Sequence, residues 1–240
     1  MVNDKYYNLM LEEIDKLKDI NNRRFAKSLL NRVPDYFFTV PASSSGKYHP
    51  KNDLGEGGLV RHSISVVRIL EHLIEPEGYF DFYEDQFECL KIAALFHDCM
   101  KSGTQEEYEN NSRTKFLHPL YAANFIMTVA IECGYPYEKA IFIYDAVIAH
   151  MGQWNTNKNE FGSELPKPVS PGQRVLHLAD YLASRKDINI TIEEDEEVKV
   201  KVDDDPSLEV PVEKKEEEHN EVPVPTEESC DDDVRKKEGD

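Results

Sequence analysis

His97 and Asp98 stand side by side at the end of the apolar run Cys89–Phe96. A carboxylate beside an imidazole where a helix leaves the core is costly to bury unpaired, and a cation shared by both relieves that cost. His62 lies upstream in a helical stretch, and His118, His150 and Asp180 follow, each at or near one end of a separate helical pattern. Six hard or borderline ligands on five helices suit a two-metal site, in which one carboxylate bridges the ions and imidazoles complete the shells. Two divalent transition metals are the expected cofactors, and His and Asp ligands accept Mn, Fe, Co, Ni or Zn alike. Metal-assisted hydrolysis is the chemistry such a pair performs.

Several neighbours carry two readings each. Lys101 follows Asp98 by three residues and His97 by four, hence on the same helical face. It either meets a developing negative charge or pairs with Asp98 and the helix C-terminus. His177 shares a face with Asp180 and is either a support for the metal ligands or a packed core imidazole. Arg61 and Arg185 flank the ligand segments, where they either hold phosphate or form surface ion pairs. Gly55-Glu56-Gly57-Gly58 lacks the lysine and hydroxyl of a phosphate-binding P-loop, and its expected role is a sharp turn before the His62 helix.

The elements that must bring these residues together are helical. Apolar residues at helical intervals over residues 4–31 predict one or two amphipathic helices, ended by Val33-Pro34. Residues 39–58 are rich in Pro, Ser, Gly and Asn and predict a long ordered loop, the kind that tends to serve function. Residues 59–74, 85–100, 118–133, 136–151 and 172–185 each show the period of a buried-face helix, with Pro119 and Pro136 suited to first turns. The fold class is all-α. Residues 1–40 form an N-terminal helical segment packed on a core of residues 41–190. Alternating residues in 188–192 and 198–202 leave room for a small hairpin, which is marginal alone.

Charge is unevenly spread. Residues 191–240 hold 21 acidic and 7 basic side chains, leaving 26 acidic and 21 basic for residues 1–190. The first part suffices for one domain, and the acidic part reads as a mostly disordered, low-complexity tail that solvates the chain or engages a protein partner. No Lys/Arg run provides a counterion-releasing surface, so extended duplex nucleic acid is excluded as a partner and small phosphate compounds remain. Cys89, Cys99, Cys133 and Cys230 lack CxxC spacing and read as reduced thiols, and neither a signal segment nor a membrane span is legible. A cytoplasmic protein, with no membrane partner, is the expectation.

The order H…HD…H…H…D resembles the HD-domain superfamily of metal-dependent phosphohydrolases. The likeness extends to the HD domain of bacterial 3′-to-5′ exoribonucleases and to stand-alone bacterial and phage proteins built like it. It rests on Pro41-Ala42-Ser43 with His49, on Gly57 to His62, and on Ala94 to Asp98 with Lys101. It continues in His150-Met151-Gly152, Phe161-Gly162-Ser163 with Pro166, and Leu176 to Asp180. Met151 stands where those domains often carry a second histidine.

The resemblance implies that His62, His97, Asp98 and Asp180 hold one ion and that Asp98 bridges to a second held by His118 and His150. It also implies that Lys101 joins Asp98 in catalysis and that His49 contacts substrate, while Arg61, His177 and Arg185 are further candidate substrate contacts by their positions beside the ligand segments. The expected activity is hydrolysis of a nucleotide or short nucleic-acid phosphate ester by a metal-activated hydroxide, in a bacterial or phage-infected cell. Two other classes stay open: an HD-type di-iron oxygenase acting on a small organic substrate, and a non-catalytic binding module that uses the acidic tail.

Overall fold

A computed structural model describes residues 4–43, 45–74, 80–157 and 162–192. Eight α-helices run through them: α1 (Asp4–Asp15), α2 (Ile20–Leu30), α3 (Gly58–Ile74), α4 (Glu84–Phe96), α5 (Gln105–Asn110), α6 (His118–Cys133), α7 (Tyr137–Ile148) and α8 (Pro171–Ala183). The closest helix pairs are α6 with α7, α3 with α8, and α4 with both α3 and α7. Their shared interior is apolar: Leu59, Ile64 and Leu70 of α3, Leu90 and Phe96 of α4, Ile143 and Val147 of α7, and Val175 and Leu176 of α8 are all fully buried. Each such side chain contributes about 1.5–3 kcal/mol on burial, which is why the apolar periods specify these contacts. Helices α1 and α2 add Met10, Ile14, Phe25 and Leu29 to the same core.

Local chemistry sets the helix ends. Ser170 and Gln173 form a reciprocal capping box at the start of α8, with Pro171 in its first turn. Gly134, at φ 64°, closes α6 by donating to the Ala130 and Ile131 carbonyls. Asp19 caps α2 by accepting from the Asn21 amide at 2.7 Å. Buried Glu88 of α4 then accepts from the Asp19 amide at 3.1 Å and the Asn22 side-chain amide at 2.7 Å, tying the N-terminal pair to the core.

The all-α expectation holds, with three refinements. The period over 85–100 continues past the true end of α4, because residues 97–100 form tight turns in which Cys99 donates to Phe96 and Lys101 to Asp98. Helix α7 likewise stops at Ile148, leaving His150 in a turn, and Pro136 precedes α7 as its N-cap. A two-residue antiparallel ribbon, Thr156–Asn157 with Ser163–Glu164, and the short helix α5 were not expected. Helix α5 buries no residue, so it carries no apolar period to find. Cys89 and Cys99 are buried free thiols and Cys133 is exposed and free. No helix among the described residues is long and apolar enough to cross a membrane. Residues 188–192 take no regular structure. The second limb of the conceivable hairpin, the acidic tail from residue 193, Cys230 and Phe161 lie outside the described residues.

Candidate metal centre

Five helices deliver the six expected ligands to one place. His62 comes from the second turn of α3, His97-Asp98 from the turn ending α4, His118 from the first residue of α6, His150 from the turn after α7, and Asp180 from α8. His62 Nε2 hydrogen-bonds to Asp180 Oδ1 at 3.0 Å. His97 Nε2 lies 3.6 Å from Asp98 Oδ2 and 3.7 Å from Asp180 Oδ1. On the other side, Asp98 Oδ1 lies 3.0 Å from His118 Nε2 and 3.6 Å from His150 Nε2. The two oxygens of Asp98 therefore face different imidazoles.

Backbone carbonyls decide which ring nitrogens are free. Nδ1 of His97 lies 2.8 Å from the Ala94 carbonyl, that of His118 2.7 Å from Lys115 and that of His150 2.7 Å from Val147. A carbonyl only accepts, so each Nδ1 carries a proton and Nε2 is the ring atom left to offer a lone pair. His118 Nε2 and His150 Nε2 then face each other at 3.3 Å. Two acceptors in such contact repel unless a cation or proton lies between them. His97 Nε2 and Asp98 Oδ1 are buried without a hydrogen-bond partner. Orphaned acceptors converging on carboxylates form a donor set that fits transition-metal cations, and four triads of ligand atoms here lie close enough to share one.

The electrostatics point the same way. Burial opposes ionisation of Asp98, yet Lys101, His97 and His118 hold its carboxyl well below the usual range. Burial is likewise outweighed at Asp180 by His62 and His97. Burial pushes the His150 imidazole down to about 3, keeping its lone pair available. His62 is the exception: burial is overcome by Asp180 and Asp53, which lift the imidazole to about 9, so a cation there would take the place of a proton.

Asp53 is the site residue that sequence reasoning missed. It is 1% exposed, and its Oδ2 lies 3.3 Å from His62 Nδ1 and 3.4 Å from His49 Nδ1. A carboxylate behind a ligating imidazole fixes its orientation and basicity. The only sequence signal is its place four residues after His49 in the loop marked as functional. Gly58 makes the approach possible: a Cβ there would fall 2.1 Å from the Asp53 carbonyl. Asp53→Ala is expected to weaken metal binding by about 10–100-fold, read by competition with a chromogenic chelator. Unchanged affinity would remove Asp53 from the centre.

The centre opens into a cleft of about 550 Å³, within the range of small-molecule sites. Its walls include His49, Lys101, Met151 and Arg185, and also Tyr48, Trp154 and Tyr181, which sequence reasoning did not single out. Lys101 pairs with Asp98 Oδ2 while lining the cleft, so its two readings describe one position. Two expected substrate contacts fall elsewhere. Arg61 donates to Tyr6 Oη at 2.9 Å, to the Leu54 carbonyl at 3.1 Å and to the Asn52 carbonyl, because adjacent helical residues point about 100° apart. It fastens the 52–54 loop to α1 instead of facing the cleft. His177 donates from Nδ1 to the His150 carbonyl at 2.8 Å and is not part of the cleft wall. Its ring packs against Gly152, where a Cβ would sit 2.1 Å away, so it supports the turn that carries His150.

Among families of known proteins, the model of the HD domain matches residues 59–185, a span that contains all six candidate ligands. No curated protein and no solved structure matches the chain.

Proposed function

The chain belongs to the HD-domain family of metal-dependent hydrolases, and on that premise we propose that it hydrolyses a phosphate ester of a nucleotide or of a short strand's end. The observation that carries this reading is the convergence of three Nε2 lone pairs on the two oxygens of Asp98 at the floor of an open cleft. A purely structural site would close its shell with protein ligands. His62, His97, Asp98 and Asp180 would hold one divalent ion, and Asp98, His118 and His150 the second. Bound there, the ions supply Lewis acidity, lowering the pKa of water and offsetting charge on phosphate oxygens.

The chain's own residues do the rest. Lys101 presents an ammonium beside Asp98, where an incoming phosphate oxygen can share it. His49, kept neutral by burial and held at Nδ1 by Asp53, leaves Nε2 as an acceptor for a substrate hydroxyl. Arg185 stands at the outer wall as a second phosphate contact. Protein loaded with Mn or Co is expected to hydrolyse bis(4-nitrophenyl) phosphate and at least one of a panel of mononucleotides, cyclic nucleotides and short single strands. Bound metal with no hydrolysis of any panel member would overturn the reading, and coupled iron with oxygen uptake would replace it by an oxygenase.

A further inference from the structure

Four cleft residues form a ladder whose design a bare phosphate would not use. The indole of Trp154 stacks on Tyr181, with ring centroids 5.7 Å apart and planes 22° apart. The Arg185 guanidinium lies 4.5 Å from the Tyr181 ring centroid and 5.5 Å from that of Tyr48. His177 braces the indole edge-on at 6.2 Å. The outer members stay in water, Trp154 being 47% and Tyr48 53% exposed. Arg185 has no carboxylate partner among the described residues; it donates to Ser184 Oγ at 2.9 Å, and its Nε is buried without a partner. A guanidinium laid between rings without a counter-charge is arranged to receive an anion.

Chain connectivity ties the ladder to the metal ligands. Tyr181 directly follows Asp180, Arg185 comes one helical turn later, and Trp154 follows His150 by four residues. A ring face and a guanidinium with no carboxylate partner among the described residues thus stand at a set distance from the reacting centre. We propose that this ladder is a nucleobase subsite: the base of the substrate lies on the open face of Trp154 while Arg185 takes a phosphate oxygen of the same molecule. The assignment rests on the phosphohydrolase reading of the metal centre and names the residues that would hold the base and an outer phosphate oxygen of its substrate.

Trp154 is the single tryptophan of the chain, so its fluorescence reports on the subsite alone. Titrating the metal-loaded protein with adenosine 5′-monophosphate is expected to change that fluorescence saturably and to bind about tenfold or more tighter than ribose 5-phosphate. Calorimetry should show Trp154→Leu losing the preference and Trp154→Phe keeping most of it, while Arg185→Met weakens both ligands. Equal affinity for the two ligands, or a preference that survives Trp154→Leu, would overturn the subsite. Hydrolysis of bis(4-nitrophenyl) phosphate without a base preference would sink the subsite and leave the phosphohydrolase standing. A base preference in a protein that hydrolyses nothing would support the subsite and sink the phosphohydrolase.

Discussion

Asp98→Asn is expected to lower kcat on phosphate esters by about a thousandfold, roughly 4 kcal/mol of transition-state stabilisation, while leaving the fold intact. The asparagine oxygen can still accept from Lys101, and its amide can donate to the His118 Nε2 lone pair, so the buried groups that Asp98 contacts keep partners. The negative charge facing both sets of imidazoles is gone, and bound metal should fall from two ions to one. Steady-state kinetics, elemental analysis and thermal unfolding of the same preparation check the three parts together. A variant that keeps a tenth of its activity with two ions bound would show that Asp98 does not bridge them.

Removing the ions should reach further than activity. Without them, His118 Nε2 and His150 Nε2 face each other as acceptors at 3.3 Å, and the carboxylates of Asp98 and Asp180 both stand beside His97, with the Lys101 ammonium pairing with Asp98. A ligand bound at about a thousand times its Kd stabilises the native state by about 4 kcal/mol. For a domain of this size that corresponds to roughly 10 °C in Tm. Chelation is therefore expected to lower Tm by about that amount, and readdition of Mn to restore it. Identical melting curves with and without chelator would mean that the cluster binds no ion in the native state.

The helices were legible because each buries one apolar stripe, and the six candidate ligands because their order and neighbours resemble the HD pattern, whereas a single helical histidine is more often a packed or surface residue. Helix ends were less legible. Residues 97–100 and 149–151 continue the apolar pattern after the carbonyl ladder has stopped, and only the chain path shows that the ligands sit in turns. Asp53 was illegible because its partnership with His62 depends on how the 39–58 loop folds back, which rests on Gly57 at φ 68° and the bare Gly58. Arg61 was misplaced for the opposite reason: neighbourhood in sequence suggested the cleft, and helical rotation carried the side chain to Tyr6. Trp154 and Tyr181 gave no signal, since a rim aromatic looks like any half-exposed ring until its stack is seen.

The carbonyls of Ala94, Lys115 and Val147 aim three imidazoles through main-chain atoms. Side-chain exchange at those three positions leaves the acceptors in place, so tolerance to substitution there is no sign of irrelevance. A scan of single alanine variants would pass over them in silence. Changes of backbone path, such as a one-residue deletion between Ala94 and His97, would misdirect the ring and cost the centre a ligand whose own codon is untouched.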